Sequence, residues 1–168
     1  MAELPYRKRN RLAGYDYSAP GAYFVTICTH EKRCILGSVA IGEGLAPPVV
    51  RLTSIGVVVE SQILALPHRY PSLSVVKYVI MPNHVHLLLT LDERENAGGA
   101  SPSPTIPDVV CALKSLAFRQ AKPLLSGAPL WQRSFHDHVV RDDREYQTIW
   151  EYIDGNAAKW ADDCYYQA

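Results

Sequence analysis

Runs of β-branched and aromatic residues alternate along the chain with stretches whose apolar residues have helical spacing. Strand residues face alternate sides of a sheet, whereas helical neighbours recur every three or four positions, so the two patterns predict different elements. The runs predict four strands, 21–29 (GAYFVTICT), 73–81 (LSVVKYVIM), 84–91 (HVHLLLTL) and 133–140 (RSFHDHVV). Pro82 and Asn83 separate the second strand from the third and predict a tight turn between antiparallel neighbours.

Two stretches between these strands have the spacing of amphipathic helices. The first begins after Thr53, a suitable N-cap, and stops before Pro67. The second spans 107–122 and combines an apolar stripe that includes Phe118 with basic residues directed outward, Lys114, Arg119 and Lys122. The segment before it, 92–107, is rich in Gly, Ser and Pro and predicts a flexible loop that could cover a site.

A third helix is predicted over Asp142–Trp160, with acidic residues in its first turn, where the helix dipole favours them, and with Gly155 inside it. The complete order is β-α-β-β-α-β followed by one helix. This order predicts an α/β (α+β) fold of the ferredoxin-like split β-α-β type, with a four-stranded antiparallel sheet, two helices on one face and a further C-terminal helix. For a chain of 168 residues, a single domain over 1–168 is expected.

Charge and hydropathy narrow the class of protein. Lysine plus arginine equals aspartate plus glutamate at 17 each, so no global positive field points to nucleic acid, and any basic surface must be local. The densest basic cluster, RKRNR at 7–11, lies in a polar arm over 1–14 that could meet a polyanion or simply be solvated. No apolar run reaches the ~20 residues that a membrane span needs, so a soluble, cytoplasmic protein is expected.

The cysteines point to no disulfide framework and no zinc site. Cys28, Cys34, Cys111 and Cys164 have no C-x-x-C spacing, and no secretory leader precedes them. Reduced thiols that serve as packing residues are therefore expected.

Two histidines interrupt the most apolar strand of the chain. His84 and His86 alternate with Val85, so both rings lie on one face of the strand and can reach one ion. Because two helices cover one face of the predicted sheet, the pair lies either in the core or on the opposite face, where ionisable groups are easier to place. The spacing is compatible with a structural pair and with a metal site.

Two imidazoles leave the coordination of a cation incomplete, and no H-E-x-x-H motif, Asp-rich loop or paired-cysteine cluster supplies another ligand. Tyr152 and Asn156 of the third helix are four residues apart and share a helical face. If that face packs over the free side of the sheet, Asn156 can offer a carbonyl oxygen to the ion while Tyr152 points its phenol at whatever the ion holds. Alternatively, Tyr152 is a half-buried helix aromatic.

Four stretches of the sequence form a recognisable set, MPNHVHLLL, ALKSLAFRQ, LWQRSFHDHVVRDDREYQTIWEYIDGN and GAYFVTICT. They resemble the REP-associated tyrosine transposases, IS200-like proteins that form a branch of the single-tyrosine HUH nucleases. HUH denotes His, an apolar residue and His, which is HVH here, and the resemblance extends from about Tyr15 to Trp160. H-x-H alone is a weak signal, whereas PNHVHLL combined with WQRSFHDHVVRD and EYIDGN is specific.

The resemblance implies a ferredoxin-like catalytic core, a divalent metal held by His84 and His86, and Tyr152 as the nucleophile. Asn156 matches the polar residue that completes the metal site one turn later. Magnesium or manganese would serve, since mixed nitrogen and oxygen ligands favour manganese and availability favours magnesium. The family's usual Asn-Pro is Asn156-Ala157 here, and the chain ends soon after this helix, so contacts that relatives make through a longer tail are not carried over.

The activity implied by the resemblance is that of a transposase. It would cut and transfer single-stranded DNA near REP-like hairpins through a covalent 5′-phosphotyrosine link and a free 3′-hydroxyl. A phosphotyrosine stores the energy of the broken bond, so a later strand end can reverse the step. A homodimer is compatible with this activity, and the pattern does not say whether Tyr152 serves its own subunit.

Local basic residues are the predicted phosphate contacts, namely Arg7, Lys8, Arg9, Lys114, Arg119, Arg133 and Arg141. Trp131 or Tyr146 could stack on unpaired bases, and a second same-face pair, His136 and His138, is interpreted as structural or DNA-contacting. Two alternatives stay open. One is a domesticated, non-catalytic DNA-hairpin binder on the same fold, and the other is a small metal-dependent hydrolase in which activated water attacks and Tyr152 only orients the substrate.

Overall fold

The computed structural model describes residues 14–40, 47–93 and 104–166. The strands are β1 Gly21–Cys28, β2 Gly37–Ala40, β3 Val49–Leu52, β4 Leu73–Ile80, β5 His84–Leu91 and β6 His136–Val139. The helices are α1 Ser54–Leu64, α2 Leu66–Arg69, α3 Ile106–Ala121 and α4 Asp143–Asp154. Short 3-10 helices cover His30–Lys32, Lys122–Leu124 and Ala157–Asp162. None of these helices is both long enough and apolar enough to cross a lipid bilayer.

The central sheet has four strands in the order β4-β5-β1-β6, and every neighbouring pair is antiparallel. β4 and β5 form the predicted hairpin, in which the Met81 amide donates to the His84 carbonyl across the Pro82-Asn83 turn. The predicted fold is therefore confirmed as a mixed α/β structure with a four-stranded antiparallel sheet. β2 and β3 pair in a separate two-stranded sheet, which the pattern did not predict because each strand is only four residues long.

Alternation along β5 gives the sheet two different faces. The odd-numbered residues of 85–91 are buried in the main core together with residues of α1 and α3. Leu88 faces the other way and packs with Ile149 of α4 in a second apolar cluster. Because His84 and His86 share the direction of Leu88, they lie on the α4 side. The C-terminal helix thus covers the face that carries the two histidines.

α1 begins and ends close to the predicted positions. The Thr53 side chain accepts a hydrogen bond from the Gly56 amide, as expected of an N-cap. α1 ends at Leu64, and Pro67 lies in the first turn of the separate helix α2, where a missing backbone N–H costs nothing.

α3 begins at Ile106, so the prediction of a loop that extends through 92–107 is wrong at its end. Thr105 and Asp108 form a capping box that starts the helix before Pro107. Residues 94–103 of the predicted loop lie outside the described residues.

The prediction that the last helix continues to Trp160 with Gly155 inside it is wrong. α4 ends at Asp154, and Gly155 is its C-cap, with an amide that donates to the Glu151 carbonyl. Glycine has the lowest helix propensity apart from proline, and here it ends the helix. The chain then turns into the 3-10 helix Ala157–Asp162.

The predicted faces of α3 are partly wrong. Phe118 does not complete the apolar stripe, since it is 37% exposed. Lys114 does not point freely outward, because its Nζ donates to the carbonyl oxygens of Gln132 at 2.7 Å and Arg133 at 3.1 Å. Tertiary contacts with the connection between the 3-10 helix Lys122–Leu124 and β6 therefore override the pattern of the isolated helix.

The strand predicted over 133–140 is reduced to β6, four residues long. All four cysteines are free thiols, as expected. Their prediction as packing residues holds for Cys28, which is buried, and is wrong for the other three, Cys34, Cys111 and Cys164, which are exposed.

We expect Gly56→Ala to destabilise the fold, because a Cβ at this buried position of α1 would lie 2.0 Å from the Leu36 carbonyl oxygen. Overpacking of this kind costs about 1–3 kcal/mol or more. Gly155→Ala is the matched control, since its φ of −85° suits alanine and the nearest atom lies at 3.4 Å. Its effect should stay below about 1 kcal/mol. Urea unfolding checks both, and equal losses would contradict the packing argument.

Candidate active site

β5 and α4 bring four predicted residues together. The His84 and His86 rings are buried, with centroids 4.5 Å apart. The Tyr152 hydroxyl lies 3.2 Å from His86 Nε2, and Asn156 is buried at 2% exposure. Tyr152 itself is 41% exposed, so its phenol is accessible. A single chain therefore assembles both histidines, the tyrosine and the asparagine.

Asn83 fixes the orientation of His84. Its side chain is fully buried in the hairpin turn, and its Nδ2 donates to the carbonyls of Lys32 at 3.1 Å and Tyr165 at 2.7 Å. Its Oδ1 lies 2.9 Å from His84 Nδ1, and since an amide oxygen can only accept, Nδ1 is the donor. In the neutral ring, Nε2 then has a free lone pair, as a metal-binding histidine requires. The sequence pattern marked Asn83 only as a turn residue.

Thr26 and Tyr152 hold the two ring nitrogens of His86. Thr26 is the cross-strand partner of His86 between β1 and β5, and its Oγ1 lies 2.8 Å from Nδ1. Phe24 stacks on the ring at a centroid distance of 5.2 Å. The Tyr152 oxygen accordingly lies beside the ring nitrogen that Thr26 does not use.

Asp163 is a site residue that sequence reasoning missed. The chain turns back after α4 and brings this carboxylate, 2% exposed, to 3.9 Å from His84 Nε2. Asp163 accepts hydrogen bonds from Asn156 Nδ2 at 3.3 Å and from the Tyr165 amide at 2.7 Å. The ligand atoms of His84, His86 and Asp163 lie within 4.8 Å of one another, so this group could hold a metal ion. No motif marks Asp163, because its position depends on the end of α4.

Burial controls the charge of the site. Burial lowers the pKa of His84 to about 4, against the opposing effect of the Asp163 charge, and lowers the pKa of His86 well below its usual value. Burial also raises the pKa of the Tyr152 phenol, and the Asp163 charge raises it further. Near neutral pH the two rings are therefore uncharged and the phenol keeps its proton.

Two of the predicted phosphate contacts, Lys114 and Arg119, belong to α3, which packs on the face of the sheet opposite the histidines. Arg119 is exposed, and so is Arg133, which borders an open cavity of about 260 Å³ together with Lys114 and Phe118. Lys114 is already bonded to backbone carbonyls, and burial lowers its pKa. Trp131 of the same cavity is buried at 9% exposure, and its Nε1 donates to the Lys114 carbonyl.

On the α4 side, Arg141 is exposed just before the helix. His138 Nε2 lies 2.6 Å from Glu145 Oε1, which ties β6 to α4, and His136 is exposed. Within the part of the chain that the structure describes, neither histidine belongs to the group that could hold a metal. Tyr146 is half-buried against the second apolar cluster. The predicted contacts of the basic arm lie outside the described residues, namely Arg7, Lys8 and Arg9.

We expect Thr26→Val to destabilise the metal-free protein by about 1–3 kcal/mol, because it leaves the buried His86 Nδ1 without a partner. Thr90→Val is the matched control, on the neighbouring strand and half-buried, with an effect within about 0.5 kcal/mol. Urea unfolding in the presence of a chelator measures both. A Thr26→Val variant as stable as the Thr90→Val variant would show that the hydrogen bond does not hold the ring.

No protein-family model matches the chain. An uncharacterised protein of Haemophilus influenzae is 28% identical over 178 aligned residues, which cover 98% of this chain and 96% of that protein. The ISDra2 transposase TnpA of Deinococcus radiodurans is 35% identical over 94 residues, which cover 52% of this chain and 60% of that protein. The chain thus matches less than two thirds of TnpA.

Two solved structures share the fold. A REP-associated tyrosine transposase bound to a REP hairpin superposes with a TM-score of 0.60 and 19% identity, over 95% of this chain and 74% of that one. A provisionally named transposase of Deinococcus radiodurans R1 gives a TM-score of 0.50 and 24% identity, over 89% of this chain and 97% of that one. At these identities the likeness establishes the fold alone. Together with the sequence match to TnpA, it confirms the predicted resemblance to the REP-associated and IS200-like tyrosine transposases.

Proposed function

We propose that this chain is a metal-dependent endonuclease and strand transferase that cuts single-stranded DNA near hairpins through a covalent 5′-phosphotyrosine. The contact between Tyr152 and His86 carries the proposal. An accessible phenol oxygen lies 3.2 Å from a buried ring nitrogen of the kind that binds metal ions. The likeness to a transposase bound to a REP hairpin supports hairpin DNA as the substrate.

Unpartnered buried acceptors support an ion at this site. His84 Nε2 and Asn156 Oδ1 have no hydrogen-bond partner within the described ranges. Leaving such atoms unsatisfied costs about 1–3 kcal/mol each, so their presence calls for an explanation. The donor set of two imidazoles and one amide oxygen fits a divalent cation, magnesium or manganese. His84, His86 and Asn156 would hold this cation, which when bound supplies charge stabilisation to the phosphate oxygens.

Tyr152 is the proposed nucleophile. Its phenol loses a proton as the oxygen forms a bond to phosphorus, and the bond between phosphorus and the 3′ oxygen breaks. The 3′ oxygen takes up a proton and leaves as a free hydroxyl, while the 5′ phosphate stays on Tyr152. Attack by the 3′-hydroxyl of another strand reverses these bond changes and joins the two strands.

The environment of Tyr152 favours a metal requirement. Because burial and the Asp163 charge raise the pKa of the phenol, the unassisted site disfavours phenolate. Compensation of that negative charge is needed before Tyr152 can attack readily. The exposed side of the ring leaves room for a DNA strand, and the buried histidines exclude water from the other side.

Phosphate contacts remain proposals for the exposed arginines Arg119, Arg133 and Arg141 and for the basic residues at 7–9. Lys114 is a weaker candidate, since backbone carbonyls already occupy its ammonium group. One chain contains all the proposed catalytic residues, so cleavage in cis needs no second copy. A homodimer is still proposed for the joining of two strands.

We expect Tyr152→Phe to abolish formation of the protein–DNA adduct. End-labelled single-stranded oligonucleotides with hairpins from the DNA flanking the gene are incubated with protein and Mg²⁺ or Mn²⁺ and separated on a denaturing gel. Wild type should give label that migrates with the protein and that disappears with chelator. Tyr166→Phe is the matched control, because Tyr166 is 43% exposed and its nearest described ring is Trp160.

Three results would contradict the proposal. Cleavage without an adduct would favour the hydrolase, in which water attacks. Bound but uncut hairpin, equal for wild type and Tyr152→Phe, would favour the non-catalytic binder. Loss of the adduct in both tyrosine variants would remove the specific role of Tyr152.

We expect Arg133→Gln to weaken hairpin binding about two- to tenfold and to lower the slope of log Kd against log salt by about 0.7 to 1, as the loss of one phosphate contact requires. Arg51→Gln is the control, because Arg51 is an exposed arginine of the small sheet, outside the proposed contact surface. Fluorescence anisotropy with labelled hairpin at several salt concentrations measures both. Equal slopes for the two variants would exclude Arg133 from the phosphate contacts.

A further inference from the structure

The buried Asp163 carboxylate faces a ring nitrogen of His84 that has no hydrogen to donate. Its Oδ2 lies 3.9 Å from His84 Nε2, and the hydrogen of that ring is on Nδ1, where it is donated to Asn83. Within the described residues, no lysine or arginine lies at ion-pair distance from Asp163. Buried charges in proteins are normally paired or coordinate metals. Asp163 accepts hydrogen bonds from two neutral N–H groups, and among the described residues it makes no ion pair with a lysine or arginine.

The ligand atoms of His84, His86 and Asp163 lie close enough together for all three residues to bind one ion. Two atoms that bind the same cation at about 2.1 Å lie no more than about 4.2 Å apart. The separation of 3.9 Å between His84 Nε2 and the Asp163 carboxylate satisfies this limit. The ligand atoms of the two histidines and Asp163 lie within 4.8 Å of one another, so closing the widest gap needs a shift of about half an ångström.

Several contacts of the segment that carries Asp163 are with residues around this site, and its 3-10 helix also contacts β3. The 3-10 helix Ala157–Asp162 has no buried residue. Beyond it, Tyr165 packs its ring 4.6 Å from the His84 ring, and its carbonyl accepts from Asn83. The docking of the segment over 157–166 therefore depends in part on groups that surround the site, and no residue of its 3-10 helix is buried.

We propose that Asp163 is a direct ligand of the ion, in addition to His84, His86 and Asn156, and that ion binding is thereby linked to docking of the segment 157–166. This inference rests on the proposed function for the presence of an ion. A carboxylate adds a hard, anionic oxygen to a neutral donor set, which favours magnesium and manganese over softer ions. Because Asp163 belongs to the segment 157–166, an ion bound by Asp163 and the two histidines would stabilise the docked position of this segment.

The first test is calorimetric titration of the metal-stripped full chain with Mn²⁺. Asp163→Asn should bind at least about tenfold more weakly than wild type, since loss of outer-shell partners alone costs 10- to 100-fold. Asp162→Asn is the matched control, because this neighbouring aspartate is exposed, and its affinity should stay within about threefold. Unfolding in chelator establishes that both variants are folded.

Two further readouts separate ligation from a structural role. Mn²⁺ should slow amide hydrogen exchange over 157–166 in wild type and in Asp162→Asn, and should leave Asp163→Asn unchanged. Asp163→Cys, made in a Cys164→Ser background, should raise the ratio of Cd²⁺ to Mn²⁺ affinity at least about tenfold, because a thiolate prefers the softer ion. Asp162→Cys in the same background should not change this ratio.

Mn²⁺ affinity of Asp163→Asn within threefold of wild type would overturn the inference, and so would hydrogen exchange of wild type that does not respond to Mn²⁺. The DNA adduct tests the proposed function independently of the Mn²⁺ measurements. If the Mn²⁺ results are as expected and wild type forms no DNA adduct, the metal site stands without the nuclease. If an adduct forms and Asp163→Asn binds Mn²⁺ normally, the nuclease stands and Asp163 is not a ligand.

Discussion

A buried imidazole needs a partner for each ring nitrogen, and this requirement organises the α4 side of the sheet. Two such rings lie next to each other on β5, a central strand. Asn83 from the hairpin turn, Thr26 from β1 and Tyr152 from α4 lie at hydrogen-bond distance from three of the four nitrogens. The fourth, on His84, has no partner within the described residues, and it lies beside a buried carboxylate. Asn156 Oδ1 is the other acceptor at this site without a described partner, so two buried atoms of the polar site remain unsatisfied.

Apolar packing sets the geometry of this polar site. Ile149 and Ile153 of α4 pack with Leu88 of β5 and fix the rotation of the helix over the sheet. Tyr152 precedes the buried Ile153, so the helix cannot turn its phenol away from His86 without exposing an apolar residue. A functional side chain held by a packed helix is positioned more tightly than one on a loop. The contact between Tyr152 and His86 therefore follows from core formation.

Local patterns were sufficient for much of the fold and for four of the residues that the structure brings together at the candidate site. The hairpin around H-x-H, the N-cap at Thr53 and the shared face of Tyr152 and Asn156 depend on residues that are close in sequence. Asp163 could not be found in this way. A helix that continued through Gly155 would carry the following residues away from the sheet, so the wrong helix end also hid the carboxylate. The inward direction of Lys114 depends on carbonyls at 132 and 133, a tertiary contact that no periodicity reports.

Tyr152 is partly exposed while its neighbours are buried, and this difference connects the reactivity of its phenol to the charge of Asp163. The side chains of the histidines and Asp163 are buried, where electrostatic interactions are strong, whereas the phenol of Tyr152 is partly exposed to solvent. In this surrounding, burial and then the Asp163 charge raise the pKa of Tyr152, so the phenol of this proposed nucleophile keeps its proton. Neutralising the Asp163 carboxylate would remove its contribution to the raised pKa of Tyr152. If Asp163 is a ligand, the carboxylate whose charge adds to the raised pKa of Tyr152 in the metal-free protein also helps to bind the ion that would offset this charge.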